Sequence, residues 1–410
     1  MHQETILSIL RDTAHPRTAG SAEERQCADY LRQQCEALGL AARIEPFALN
    51  MARIHEAALT ADGREIPCRG YLRAGSGDVT AELVYLTNTD PLCINACRGK
   101  IVLFDGRLRG WIYRDLLAAG AVGFITYDGD VQHADRDIDQ KTFYHLLETE
   151  DKLPGVHIHA KDAVELVRSG AKTAHIRLMQ EEYVGESHNV VAELPGENDQ
   201  WIDLTAHYDS TALSHGAYDN MTGSIALLAL AEHFAAAPHR YGLRFIWCGS
   251  EEVGLLGSRA YCEAHEEALK QTALNVNLDM LGSLMGKFIA NCTAEEKLVH
   301  YLQYFAAERG CGIEAAQGVH SSDSSCFAEK GVPAVSFARY APQNTASIHN
   351  RYDTMDVVSA DRLLEDIAFV RDFLSRMANA VCCPVAREIP ENMKEKLDYY
   401  FLRKREKSGK

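Results

Sequence analysis

Five side chains of types that bind metal ions occur in the second half of the chain. Apolar segments at residues 201–206, 243–248 and 274–278 are predicted to be buried strands, and they lead into three of these side chains. In an open α/β sheet, ligands gather beyond the carboxyl ends of the strands, so these groups are expected to share one small volume. Crowded carboxylates repel one another unless cations neutralise them, which predicts bound metal. The five residues are His207, Asp219, Glu252, Asp279 and His349.

Alternating strand and helix patterns between about residue 187 and residue 383 would position these side chains. Such a βαβ order predicts an α/β fold with a mostly parallel mixed sheet and helices on both faces. Residues 224–231 are almost wholly apolar and are predicted to form a buried helix. Near the amino terminus, Ser21 and Glu24 predict a capping box at the start of another helix.

A segment of different character separates that first helix from the metal-type residues. It contains short strand-like runs at 82–86, 100–104 and 122–127 and none of the five side chains, which predicts an inserted, smaller, β-rich domain. A chain of 410 residues is also too long for one ordinary core. We therefore expect a catalytic domain formed by 1–48 and 184–383, an inserted domain at 49–183, and a charged C-terminal tail at 384–410.

The overall charge and the amino-terminal sequence restrict the possible partners and compartments. The net charge is −16 and the isoelectric point is near 5.5, which argues against nucleic acid as a partner. Residues 1–10 lack the apolar core of a signal peptide, and no later run has membrane-spanning length. Twelve cysteines are scattered without a disulfide framework. We therefore expect reduced thiols, no membrane association and a cytoplasmic location.

Neighbouring acids suggest distinct chemical roles at the metal site. Side chains alternate along a strand, so Asp209 and His207 are expected on one side, where Asp209 can orient the imidazole. Adjacent residues point in different directions, so Glu252 can bind metal while Glu251 faces the substrate as a base. Asp219 directly precedes the apolar helix, where one carboxylate could bridge two metal ions.

Each of these residues also has an ordinary structural interpretation. His207 could be a buried structural histidine, and Asp219 could be an N-cap or part of an Asx turn. Glu251 and Glu252 could be solvated acids at the start of a helix, where acids are favoured. His349 could lie on the surface. We favour the metal interpretation because all of these residues occur together in one order.

Several longer motifs carry a resemblance to a known family. They comprise HPRTAG at 15–20, SHNVVAELPG at 187–196, AHYD at 206–209, DN at 219–220, SEEVGLLGS at 250–258, LDM at 278–280, SD at 322–323, GVPA at 331–334, and His349 with Asp353. With these motifs the sequence resembles the co-catalytic dizinc aminopeptidases, a family that also contains glutamate carboxypeptidase and the transferrin receptor. The segment 49–183 resembles a protease-associated domain, notably at 99–103 and 118–123.

The resemblance implies the zinc exopeptidase fold and a specific set of ligands. One zinc ion would be held by His207, Asp219 and Asp279, and the other by Asp219, Glu252 and His349. Other divalent metals could take their place. Glu251 would act as the general base, with Asp209 as the second catalytic residue. The family also implies a cis peptide bond between Asp219 and Asn220.

The sequence departs from its relatives beside the last histidine. Some relatives have a tyrosine immediately before it that assists the oxyanion, and this chain has Ile348. Relatives often continue with Thr-Pro, and this chain has Asn350-Arg351. Neither change affects a metal ligand. Tyr340 and Tyr352 are the candidates for supplying the missing hydroxyl.

Removal of amino-terminal residues from peptide substrates is the function that these motifs favour. A carboxypeptidase or another amidohydrolase could use the same fold and metals, because the substrate pocket decides between them. A receptor-like or scaffold protein without catalysis is a further alternative, but the ligand types and Glu251 are all present. The sequence leaves the oligomeric state open.

Overall fold

A computed structural model describes residues 1–106, 108 and 110–405, which form two compact units. The first unit contains Met1–Leu49 and Glu186–Lys404, and the second contains Asn50–Gly185. The division of the chain therefore falls within two long strands, Ala42–Ala61 and Thr173–Leu194.

The α-helices and strands of the described residues have the following bounds. The helices are α1 (Gln3–Thr13), α2 (Ala22–Ala37), α3 (Pro91–Asn95), α4 (Gly110–Ala119), α5 (Ala160–Ser169), α6 (Thr222–Ala236), α7 (Leu256–Ala264), α8 (Glu266–Leu269), α9 (Glu296–Glu308), α10 (Ser324–Glu329), α11 (Ala360–Ala378) and α12 (Glu391–Tyr400). The strands are β1 (Ala42–Ala61), β2 (Arg64–Glu65), β3 (Arg69–Gly70), β4 (Gly77–Tyr85), β5 (Ile101–Asp105), β6 (Gly123–Asp128), β7 (Gly155–His159), β8 (Thr173–Leu194), β9 (Trp201–His207), β10 (Gly242–Cys248), β11 (Thr272–Leu278), β12 (Lys287–Thr293), β13 (Glu314–Gln317) and β14 (Ala334–Tyr340).

The first unit is built on a mixed, mostly parallel sheet in the order β13-β12-β14-β11-β9-β10-β8. Strands β10, β9, β11 and β14 run parallel to one another. Strand β8 pairs antiparallel with β10, and β12 pairs antiparallel with β14 and parallel with β13. This arrangement confirms the α/β fold with a mostly parallel sheet. Because the four parallel strands run in one direction, their carboxyl ends lie along the same edge of the sheet.

Helices cover both faces of this sheet. Along β10, Phe245 and Trp247 join a core cluster with α6 and α11, whereas Ile246 and Cys248 join a second cluster with α7 and α10. All seven residues of β10 are consequently buried, as expected for a strand covered on both faces. The helix predicted at 224–231 is confirmed within α6, whose residues 222–231 are all buried.

The second unit contains a smaller sheet in which β4, β5, β6 and β7 are parallel neighbours and β3 pairs antiparallel with β7. Its core includes Ile101, Leu103, Ile125 and Val156. The strand predicted at 82–86 corresponds to the carboxyl end of β4. The strands predicted at 100–104 and 122–127 correspond to β5 and β6. The resemblance of this segment to a protease-associated domain stays a prediction.

The carboxyl-terminal segment that is predicted to be a charged tail contains helix α12. This helix buries Met393 and Leu397. Within the described part of the chain, no helix combines the length and the apolar character that a membrane span requires.

Candidate metal centre

The structure brings the five metal-type side chains together at the carboxyl edge of the first unit's sheet. Each reaches this place from a different element. His207 ends β9, Glu252 lies in the loop after β10, Asp279 follows β11, Asp219 lies in the turn before α6, and His349 lies in the loop after β14.

These side chains form two groups that share Asp219. His207, Asp219 and Asp279 form one group, and Asp219, Glu252 and His349 form the other, with one ligand atom of each residue within 4.8 Å of the others. Asp219 Oδ1 lies 3.2 Å from His207 Nε2, and Asp219 Oδ2 lies 3.1 Å from His349 Nε2. The two oxygens of one carboxylate therefore face different imidazoles.

The carboxylates around the two imidazoles favour positive charge at this place. Burial by itself lowers the pKa of His349, but Glu252 and Asp219 outweigh it and raise that pKa to about 10. Burial also lowers the pKa of His207, while the charge of Glu251 and the surrounding carboxylates raise it well above its ordinary value. Bound cations would neutralise the same carboxylates in place of the protons that the raised pKa values place on the two imidazoles.

Buried oxygen atoms also fit a metal ion. Glu252 Oε1 and Asp279 Oδ1 are buried and accept no hydrogen bond from the described residues. A buried carboxylate oxygen without a donor is unfavourable unless it is paired or coordinates a metal. Two groups of imidazole nitrogen and carboxylate oxygen, each with three residues, match the ligands of catalytic zinc sites.

Asp209 fixes the backbone of the glutamate pair. Its Oδ1 accepts a hydrogen bond from Glu251 N at 2.9 Å, and its Oδ2 accepts one from Glu252 N at 3.1 Å. His207 Nδ1 lies farther away, 3.4 Å from Asp209 Oδ1. The expected contact with His207 is therefore long. The two backbone hydrogen bonds could not be predicted from sequence, because they join residues 42 and 43 positions apart.

Asn220 connects the turn of Asp219 to the strand that leads into Asp279. Its Nδ2 donates to Leu278 O at 2.9 Å, and its Oδ1 accepts from Met280 N at 3.0 Å. The peptide bond between Asp219 and Asn220 is cis, which confirms that implication of the resemblance.

Known proteins share both the sequence pattern and the fold. Residues 189–373 match the model of peptidase family M28. Aminopeptidase YwaD of Bacillus subtilis is 28% identical over 389 residues, which cover 88% of this chain and 81% of YwaD. The family match therefore covers the part of the chain that contains the five metal-type side chains.

Solved structures of aminopeptidases are similar to this chain over nearly its whole length. BSAP, described as a zinc aminopeptidase from Bacillus subtilis, is 25% identical with a TM-score of 0.77, covering 95% of this chain and 98% of BSAP. An aminopeptidase from Aneurinibacillus sp. strain AM-1 is 26% identical with a TM-score of 0.74, covering 94% and 96% of the two chains.

The two candidate tyrosines lie in different surroundings. Tyr340 ends β14, its hydroxyl contacts His320 Nε2, and burial together with the charge of Asp279 raises its pKa. The side chain of Tyr352 is 41% exposed. Tyr340 therefore lies within electrostatic reach of a metal-type residue.

Asp353 holds the turn that presents Asp219. Its Oδ1 accepts from Tyr218 N at 2.7 Å, and its Oδ2 accepts from Asp219 N at 3.2 Å and from Ser214 Oγ at 3.0 Å. In the sequence, Asp353 is distinguished only by the motif that it shares with His349. Asp353 and Asp219 are 134 positions apart in the sequence, so their contact depends on the fold.

We expect Asp353→Asn to weaken both the fold and the metal site. An amide accepts through one atom only, so its NH2 group must face a buried N–H donor, which costs about 1–3 kcal/mol of unfolding free energy. Zinc affinity should fall by roughly 10–100-fold, as for other residues that support metal ligands. Urea unfolding and zinc titration measure these changes, with the exposed Asp356→Asn as the control. Wild-type values for both quantities in Asp353→Asn would contradict this role.

Proposed function

We propose that this chain is a dizinc aminopeptidase of peptidase family M28 whose two zinc ions share Asp219. The observation that carries the proposal is the placement of Asp219, because Oδ1 and Oδ2 lie 3.2 Å and 3.1 Å from the Nε2 atoms of two different histidines. His207 and Asp279 would complete one set of ligands, and Glu252 and His349 would complete the other. The names of the relatives support zinc and an amino-terminal substrate.

Bound zinc at such a site would act as a Lewis acid toward the peptide carbonyl and make a water molecule more acidic. Glu251 would accept the proton of the attacking water and donate it to the leaving amine. Burial raises the pKa of Glu251 well above its ordinary value, which suits a group that must both take and return a proton.

The surrounding residues would keep this base and its neighbour in separate roles. Asp209 holds the peptide N–H groups of both Glu251 and Glu252 through its two carboxylate oxygens. Consecutive side chains on a fixed backbone project in different directions, so Glu252 turns toward His349, 3.1 Å away, while Glu251 stays available to the substrate. This division depends on the backbone and not on the chemical type of the two residues.

The proposed function predicts a defined response to metal removal. The purified chain should hydrolyse aminoacyl anilides, lose this activity on treatment with a chelator and regain it when zinc is added. Because zinc binds the folded state, it should also stabilise the chain by about 4 kcal/mol at a free concentration 1,000-fold above its Kd.

A panel of substrates separates the proposed activity from its alternatives. It contains aminoacyl anilides, the same anilides with acetylated amino groups, and peptides blocked at the amino terminus with a free carboxyl terminus. An aminopeptidase cleaves only the first set. Cleavage of the blocked peptides alone would establish a carboxypeptidase instead, and full activity in the chelated protein would refute metal dependence.

A further inference from the structure

We propose that Glu24 is a positioning residue that sets the backbone of the Glu251–Glu252 pair. Its kinetic consequence rests on the proposed function, since only then is Glu251 the base. Glu24 lies on α2, more than two hundred residues before the loop that it contacts, and its side chain is fully buried.

The contacts of Glu24 Oε1 are directed at the start of the glutamate loop. This oxygen accepts from Ser250 N at 2.9 Å, from Ser250 Oγ at 3.1 Å and from Ser187 Oγ at 2.9 Å. Ser250 Oγ also lies 2.8 Å from Ser187 Oγ, so the three side chains form one buried cluster. Glu24 therefore holds both the backbone and the side chain of the residue immediately before Glu251.

Glu24 and Asp209 together hold three consecutive peptide groups. Glu24 accepts from Ser250 N, and Asp209 accepts from Glu251 N and Glu252 N. Ser250 has a φ of 54°, a left-handed conformation that is uncommon for a residue other than glycine. Such a conformation persists where the surrounding structure enforces it, and the two buried carboxylates supply that restraint.

The helix cap accounts for two of the five hydrogen bonds described for Glu24. Its Oε2 accepts from Gly20 N at 2.7 Å, and its backbone N–H donates to Ser21 Oγ at 3.0 Å, which are contacts of a helix start. The sequence predicts this capping role. The contacts of Oε1 with Ser187 and Ser250 contribute nothing to the cap, and they are the ones that the proposal uses.

Shortening the side chain of Glu24 tests the position of its carboxylate separately from its charge. Glu24→Asp keeps the carboxylate but removes a methylene group, so one side chain cannot reach both Gly20 and Ser250. Because a misplacement of about 1 Å can reduce rate roughly 100-fold, we expect kcat to fall about 10–100-fold with KM changed less than threefold. Glu24→Gln keeps the length and one acceptor, so it should lose less activity than Glu24→Asp.

Two control variants test the structural alternative. Ser21→Ala removes the side-chain cap of α2 but no contact with the loop, and Glu23→Asp shortens the exposed neighbouring acid. Both should keep kcat within twofold of wild type, even where Ser21→Ala lowers Tm. Equal losses of kcat in Ser21→Ala and Glu24→Asp would show that Glu24 acts only through helix stability and would overturn the proposal.

Amide hydrogen exchange tests the positioning without any substrate. Exchange at residues 250–252 should be at least about tenfold faster in Glu24→Asp than in wild type, and unchanged in Ser21→Ala. If the wild type proves to have no peptidase activity, the proposed function fails while this readout still decides the role of Glu24. Wild-type exchange in Glu24→Asp would overturn it.

A second variant covers the case in which Glu24→Asp does not fold. Ser187→Ala removes one donor to Glu24 Oε1 and leaves the helix cap intact. It should accelerate exchange at Ser250 and lower kcat by about threefold or more. Wild-type exchange and kcat in Ser187→Ala would then overturn the proposal.

Discussion

Asp219→Asn is expected to abolish peptidase activity and to weaken metal binding at both ligand groups. An amide offers one acceptor atom, so it cannot present an anionic oxygen to each of the two imidazole-containing groups, as Asp219 does. Changes to residues that merely support a metal ligand reduce affinity by about 10–100-fold, and loss of a shared ligand should exceed that range. Zinc titration followed by elemental analysis of the dialysed protein measures the effect.

Asp279→Asn is the matched control for this prediction. Asp279 belongs to only one of the two groups, so one zinc ion should remain tightly bound in that variant. If Asp219→Asn also keeps one tightly bound zinc ion and loses only the other, Asp219 does not bridge the two metals. Circular dichroism of both variants identifies any loss of folding.

Glu251→Gln is expected to keep two zinc ions and the fold while kcat falls by about 10²–10⁴-fold, the usual contribution of general acid–base catalysis. Glutamine has the shape of glutamate but cannot accept the proton of the attacking water. The peptide N–H of residue 251 still donates to Asp209, so the loop should not move. Steady-state kinetics with an aminoacyl anilide and metal analysis of the same sample measure both parts.

Glu252→Gln provides the contrast for this second prediction. Glu252 Oε2 lies 3.1 Å from His349 Nε2 and belongs to a ligand group, so its loss should lower zinc affinity and not only turnover. Near-normal kcat in Glu251→Gln at full zinc occupancy would exclude Glu251 as the base. Equal zinc loss in both variants would mean that the two glutamates are not functionally distinct.

The sequence was sufficient to predict the parts of the fold that depend on local patterns. The apolar runs before His207 and Asp279 correspond to β9 and β11, and the apolar helix corresponds to α6. Parallel strands bring their carboxyl ends to one edge, so these residues could be placed together before the structure was known. The structure places the side chains of Asp219, Glu252 and His349 with them.

The hydrogen bonds that support the ligands could not be predicted from sequence. The sequence predicts Glu24 as a helix cap and links Asp353 to His349 only through a shared motif, and both relations are local. In the structure, Glu24 also accepts from Ser250, 226 residues away, and Asp353 accepts from Asp219 N, 134 residues away. Contacts at such separations are decided by how the elements pack, and no periodicity in the sequence encodes them.

A crystal structure of the zinc-loaded chain, with anomalous scattering measured at the zinc edge, tests the central claim most directly. The shared carboxylate predicts two anomalous peaks roughly 3.5–4 Å apart. One peak should be bound by Asp219 Oδ1, His207 and Asp279, and the other by Asp219 Oδ2, Glu252 and His349. A single peak at full zinc saturation, or two peaks with Asp219 bound to only one of them, would contradict the account.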